Sequence, residues 1–183
     1  ILVGVAAGVK ATGADSSLPE FASIGPDSVL FYLAAYTAAN LTAFFAITAI
    51  GMRIGSDRIE DYAGVARRSP VLAAILALSL AALLGVPPTS IFIGKLYIFT
   101  AAVNSGLAWL AIVGVINSVI SAYYYVRVIR TMFLQPSVSQ DPISAPVSSW
   151  IALGLAGGAM LWMGIAPGYI LRMSEGAAAV LGG

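Results

Sequence analysis

At 183 residues, 60% hydrophobic and 9% charged, with a mean hydropathy of +0.94, the chain is far too apolar for a soluble domain, where charged residues run to about 25%. A net charge of +1 without a basic stripe or an aromatic stacking pattern argues against a nucleic-acid partner. The absence of Cys and His removes thiolate-held iron–sulfur clusters, disulfides, Cys zinc sites and imidazole ligation of haem or metals, so any redox cofactor belongs to a partner.

The chain opens on "ILVGVAAGVK", without a Met or a basic leader, so it does not resemble a signal peptide and reads as the C-terminal part of a longer chain. Ile1 to Val9 is apolar but spans only half a bilayer, since a crossing needs about 20 residues. Residues 10–27, with Gly, Ser, Pro and the acids Asp15, Glu20 and Asp27, read as a loop. Val29 to Met52 is long enough to cross, with Thr37, Asn40 and Thr42 as its polar members, of which Asn40 suits a hydrogen bond across helices or a held water. Residues 53–69 set four Arg against Asp57, Glu60 and Asp61 and read as a solvated connector, with a short interfacial helix as the alternative. Pro70 then opens a helix at a position where proline is tolerated.

Within Pro70 to Val103 the double proline Pro87–Pro88 removes two backbone donors and clashes with the preceding turn, so one helix ends near Gly85 and another begins after Thr89 or Ser90. Lys95 follows in the early turns of the second half, the only charge inside an apolar run. An ammonium in hydrocarbon costs about 2.5 to 3.5 kcal/mol on insertion scales, which makes such a lysine a functional hypothesis. Desolvation disfavours its charged form, and a lysine that can lose and regain its proton suits a proton carrier. The positive end of the second half-helix is expected to oppose the ammonium as well. Broken helices with ionisable groups beside the break are how many transporters build midplane ion sites. The competing reading, a lysine that snorkels to an interface or pairs with a carboxylate, has to bridge about 12 Å from Lys95 to the helix end near Val103.

The positive-inside rule favours one broken crossing over two short ones here. It places Arg53, Arg58, Arg67, Arg68, Arg127 and Arg130 on one side and residues 104–106 on the other, whereas two crossings would divide the arginines. Leu107 to Phe133 is the next crossing and ends in "AYYYVRVIR", an aromatic and basic anchor. Helical spacing puts Asn117, Ser121 and Tyr124 on one face, which can line a hydrated path or form an interhelical hydrogen-bond seam. Ser118 and Tyr123 are further candidates for lining that path. Residues 135–147 read as a proline-rich loop. Ser148 to Arg172 reads as the last crossing, with the small-residue stretch "GLAGGAM" for close packing, Trp150 and Trp162 as belt residues, and Pro167 weakening its final turns. The expected fold is all-α: a single polytopic membrane domain over 1–183 with four full transmembrane helices, one broken at Pro87/Pro88, and a partial N-terminal helix. No catalytic Ser/His/Asp set, metal motif or phosphate-binding glycine loop is present, so the chain itself is expected to hold no cofactor and no metal.

The segments "DYAGVARRSP" and "LLGVPPTSIFIGKLYIFTAAVNSGLAWLAIVGVINSVISAYYYVRVI" resemble the antiporter-like membrane subunits of the proton-pumping NADH:quinone oxidoreductase, respiratory complex I, and "FIGKLY" favours the subunit N branch. The resemblance runs from about Val29 to Phe133. It implies a fold of fourteen helices with two inverted repeats, each holding one broken helix, of which this chain would supply the last four and the tail of the one before. It further implies that Lys95 matches the intramembrane lysine that exchanges protons with the outer side. NADH, flavin, iron–sulfur clusters and quinone would lie in partner subunits of the membrane and peripheral arms, and the site of action would be a bacterial inner membrane. Alternatives within reach of the same resemblance are a sodium/proton antiporter, a membrane-bound hydrogenase subunit and a non-conducting scaffold.

Overall fold

The computed structural model describes residues 2–6, 24–87, 89–137, 139, 141–166 and 168. All regular structure among the described residues is helical. Its elements are α1 (Ile24–Ile54), a 3₁₀ turn (Ile59–Tyr62), α2 (Val65–Arg68), α3 (Pro70–Leu84), α4 (Ser90–Asn104), α5 (Ala108–Leu134) and α6 (Val147–Ile165). Residues 2–6, from the predicted partial N-terminal helix, are helical too. Three segments are long and apolar enough to cross a membrane: Val29–Ile54, Ala108–Leu134 and Val147–Ile165. Helices α3 and α4 have 15 residues each, about 22 Å against a hydrocarbon core of about 30 Å, so neither crosses alone.

Helix α1 is the hub, packed against α3, α4 and α6. Its buried positions are mostly small: Ala35, Ala38, Ala39, Thr42, Ala43, Ala46 and Ala49. Small side chains let neighbouring backbones come close, which is how helices gain packing energy where lipid and leucine are equally apolar. Leu72, Leu76 and Leu80 of α3, Ile91 of α4, and Leu153 and Met160 of α6 complete the core. Two polar members of α1 bond to their own helix: Thr42 Oγ1 donates to the Ala38 carbonyl and Asn40 Nδ2 to that of Tyr36, both at 2.8 Å, so the bond Asn40 makes runs along α1 rather than across to a neighbour.

Helix α5 flanks the bundle, packed on α3 and α4, with Ala111, Thr131 and Met132 as its buried residues. Its N-terminus follows α4 through a turn of three residues in which Gly106 takes φ +69°. Its C-terminal part returns to the connector after α1: Arg127 Nη2 pairs with Glu60 Oε1 at 3.2 Å, and the Gly64 N–H donates to the Thr131 carbonyl at 3.3 Å. Helix α5 is 27 residues, about 40 Å, so the start of α3 and the end of α4 lie at its opposite ends.

Several predicted boundaries shift. The loop predicted over 10–27 falls mostly outside the described residues, and its described end is helical: α1 begins at Ile24, with Pro26 in the first turn, where a missing N–H costs nothing. The connector 53–69 is not simply solvated. It forms the 3₁₀ turn and the one-turn α2 and buries Tyr62, Ala63, Val65 and Ser69. The described residues between 135 and 146 are irregular as predicted, though Ile143 is buried and its N–H donates to the Arg68 carbonyl at 3.3 Å. Helix α6 runs over Val147–Ile165 and is interrupted at Ala166, the residue before Pro167, since a residue before proline is driven out of helical conformation; the rest of the crossing predicted to Arg172 lies mostly outside the described residues. Pro88, Pro167, Arg172 and the predicted tail lie outside the described residues.

Candidate functional site

The break between α3 and α4 is built from backbone hydrogen bonds that run out. Gly85 takes φ +84° and ψ 45°, the left-handed conformation that glycine adopts without a Cβ penalty. Its N–H donates to the Ala82 carbonyl at 2.9 Å, and the Val86 N–H donates to Ala81 at 3.1 Å. This Schellman pattern satisfies two of the four carbonyls that every helix end leaves without intrahelical partners. The Leu84 carbonyl is satisfied from the other side of the break, where Lys95 Nζ donates to it at 2.9 Å. On the α4 side, Thr89 is the extended N-cap residue with no side-chain cap bond. Among the described residues the buried hydroxyl oxygens of Thr89 and Ser90 have no hydrogen-bond partner.

This geometry revises the electrostatic expectation for Lys95. The residue does sit in the early turns of α4, whose positive end opposes its charge. Its side chain, however, turns back across the break to the C-terminal end of α3, where the carbonyl dipoles carry about half a negative charge. The negative end of one half-helix therefore offsets the positive end of the other. Among the described residues the ion pairs are Arg58–Glu60 and Arg127–Glu60, and Lys95 belongs to neither. Its partner among the described residues is a backbone carbonyl at the break rather than a carboxylate.

Half-buried Lys95 borders two cavities. The larger, about 680 Å³, is bounded by residues 2 and 3, by Tyr32 and Tyr36 of α1, by Lys95, Ile98 and Phe99 of α4, and by a face of α5 that includes Gly114, Asn117 and Ser118. Its volume accommodates a cluster of waters at about 30 Å³ each. The smaller, about 250 Å³, is an open groove lined by Leu84, Phe92, Leu96, Phe99, Val115, Val119 and Ala122 together with Lys95 and Ser118. Lys95, Phe99 and Ser118 border both.

The predicted path residues are only partly brought together. Asn117 and Ser118 share the larger cavity with Lys95, and Ser118 Oγ donates to the Gly114 carbonyl at 3.0 Å. Ser121 borders neither cavity, and its hydroxyl donates to the Asn117 carbonyl at 2.9 Å. Tyr123 and Tyr124 are exposed, edge to face at 5.6 Å, and border neither cavity. The predicted Asn117–Ser121–Tyr124 face thus diverges from the lysine after its first member, because α5 runs on past the break toward the connector. Two residues that the sequence reading passed over complete the site. Tyr32 and Tyr36 stack with ring centroids 5.7 Å apart and bring two phenols into the lysine's cavity. Their signal was available as two tyrosines one helical turn apart in an aliphatic run. Together the cavity offers one protonatable amine, two phenols, an amide and a hydroxyl, a set suited to passing protons through water rather than to covalent chemistry. No cluster of His, Cys, Asp or Glu able to hold a metal occurs among the described residues.

Residues 20–121 match the family described as NADH:quinone oxidoreductase/Mrp antiporter, transmembrane. The NADH-quinone oxidoreductase subunit N of Dehalococcoides mccartyi is 43% identical over 165 residues, covering 90% of this chain and 34% of that protein. The protein of the same name from Desulfitobacterium hafniense is 45% identical over 135 residues, covering 73% and 27%. The chain thus spans about a third of the length of these relatives. Among solved structures, a chain of an archaeal respiratory membrane complex, the membrane-bound sulfane sulfur reductase, superposes with a TM-score of 0.77 at 26% identity, over 85% of this chain and 32% of its own. A chain of respiratory complex I from Thermus thermophilus superposes with a TM-score of 0.67 at 26% identity, over 93% and 43%.

Proposed function

This chain belongs to the NADH:quinone oxidoreductase/Mrp antiporter family of transmembrane proteins, and from that premise we propose that it acts in proton translocation as part of a subunit N of NADH:quinone oxidoreductase. It is a multi-pass membrane protein, and the names of its bacterial relatives support a place in the bacterial inner membrane beside other membrane-arm subunits. Helices α3 and α4 act as one broken crossing, which raises the three long spans to four. The ends of this pair at opposite ends of α5 support that count.

The observation that carries the reading is Lys95, a charge inside an apolar helix whose ammonium rests on the Leu84 carbonyl and borders a cavity lined by Tyr32, Tyr36, Asn117 and Ser118. In the proposed cycle NADH oxidation and quinone reduction occur in partner subunits, which hold the flavin, the iron–sulfur clusters and the quinone. The resulting electrostatic or conformational signal shifts the balance between charged and neutral Lys95. The lysine releases its proton toward the outer side and is reloaded through water in the larger cavity. Its contact with the negative end of α3 supports the charged form, and the apolar walls around Phe92 and Leu96 oppose it.

A second reading is cation/proton exchange without redox coupling. The family description includes the Mrp antiporters, and the superposition on the sulfane sulfur reductase complex indicates that the fold serves more than one respiratory assembly. Partner composition separates the two. Purification through an affinity tag on the full-length protein is expected to bring down subunits carrying flavin and iron–sulfur clusters, together with NADH:quinone electron transfer. An assembly without redox groups that exchanges cations for protons would contradict the first reading.

A further inference from the structure

Gly85 does more at the break than allow a positive φ. A Cβ built on it would lie 3.2 Å from both Cδ and Nζ of Lys95 and 3.5 Å from Cε. The lysine stem therefore lies directly over the bare Cα of Gly85, and this is the route by which Nζ reaches the carbonyl of the neighbouring residue, Leu84, at 2.9 Å. Eleven residues of sequence separate donor from acceptor, and the glycine lets the stem close that distance without being lifted off by a methyl group. We propose that Gly85 is a positioning residue for Lys95, its missing side chain forming the seat that holds the ammonium on the Leu84 carbonyl and at the border of the cavity shared with Tyr32, Tyr36 and Asn117.

The inference rests on the reading of Lys95 as the proton carrier. It adds that the carrier's position is set by the residue at the end of the preceding half-helix. A methyl group at residue 85 makes the flexible stem give by a few tenths of an ångström and moves the ammonium from its place on the Leu84 carbonyl. The carrier is then displaced relative to the groups with which it exchanges protons, and proton transfer depends on that geometry.

The difficulty in testing a glycine at positive φ is that any replacement also strains the backbone. Gly55 supplies the control. It has φ +73°, and a Cβ built on it meets nothing within 4 Å, so Gly55→Ala carries the same kind of backbone strain without a lysine above it. The experiment compares Gly85→Ala, Gly55→Ala and Lys95→Ala in the complete complex reconstituted into vesicles. It reads protons pumped per electron, the KM for quinone and the amount of assembled complex. The expected result is a severalfold loss of protons per electron in Gly85→Ala, with the quinone KM unchanged and Gly55→Ala retaining the wild-type ratio. If Gly85→Ala fails to assemble, Gly85→Asn takes its place, since asparagine tolerates the left-handed conformation while still placing a Cβ against the lysine. A wild-type ratio in the position-85 variant, or an equal loss in the Gly55 variant, overturns the positioning role. Wild-type pumping by Lys95→Ala instead overturns the carrier reading itself, so the two failures are distinguishable.

Discussion

Tyr62 ties the connector to the first crossing helix through one buried hydroxyl, which donates to the Ile47 carbonyl at 3.2 Å. Burial and, secondarily, the negative charge of Asp57 push this phenol up to about 12 from its ordinary value of 10.0. The sign follows from linkage: the folded state holds the proton more tightly, so the stabilisation is fully present below pH 10 and is lost as pH rises through about 12. Replacing the residue in Tyr62→Phe removes the hydrogen bond and costs about 1 kcal/mol at neutral pH. Thermal unfolding followed across pH 9 to about 12 is expected to show the gap between wild type and variant closing as pH rises. A gap that stays constant would contradict the assignment. At this scale the sequence reading went a long way for Lys95, because a charge within an apolar run stands out in one dimension. The direction of its side chain was not legible, since that depends on the left-handed turn at Gly85 and on the stem crossing a break. Tyr32 and Tyr36 were overlooked because tyrosines are also ordinary core and interface residues, and only the fold brings them to the lysine.

Helix α6 meets α1 through the small-residue stretch read from the sequence, yet only some of its glycines take part. A Cβ on Gly157 would lie 3.6 Å from Thr42 Cγ2, an ordinary contact, whereas Gly154 and Gly158 have nothing within 4 Å. An alanine fits at 157 and a leucine does not. Gly157→Leu is therefore expected to destabilise by about 1 to 3 kcal/mol, in the range of overpacked cores. Gly158→Leu is expected to stay within about 0.5 kcal/mol. Thermal unfolding monitored through the tryptophans Trp150 and Trp162 of the same helix measures both, and equal effects would sink the assignment of Gly157 as the contact. The presence of a close contact was legible from composition, but the contacting glycine was not, because adjacent residues on a helix point about 100° apart and the rotation of α6 is fixed by packing. The break itself was legible because Gly85 and the two prolines act locally. The loss of Ser121, Tyr123 and Tyr124 from the cavity was not, since it depends on where α5 passes α4.

Across the whole molecule, Arg53, Arg58, Arg67 and Arg68 belong to the end of α1 and its connector, and Arg127 and Arg130 to the part of α5 that returns to it. The positive-inside argument expects these six arginines on one face of the membrane. The chain has no cysteine, so single cysteines can report sidedness. With α3 and α4 as one broken crossing, Arg58→Cys and Ser144→Cys are expected to be labelled by an impermeant thiol reagent from one face of the membrane and Asn104→Cys from the other. Labelling of positions 58 and 104 from the same face would contradict the four-crossing topology. The all-helical class and the order of the long apolar helices were legible because apolar runs and turn residues punctuate the chain. The placement of α1 at the centre was not: helices that are apolar all round carry no stripe to say which side faces a neighbour, and the small residues of α1 show their role only once packed.

The most direct measurement is proton pumping by the complete reconstituted complex carrying Lys95→Ala, normalised to NADH:quinone electron transfer and to assembly on a native gel. Lys95 as the proton carrier predicts fully assembled complex in which protons per electron, or coupled turnover, are lost. Fully assembled complex that pumps at the wild-type ratio would contradict it and reduce Lys95 to a structural cap on the Leu84 carbonyl.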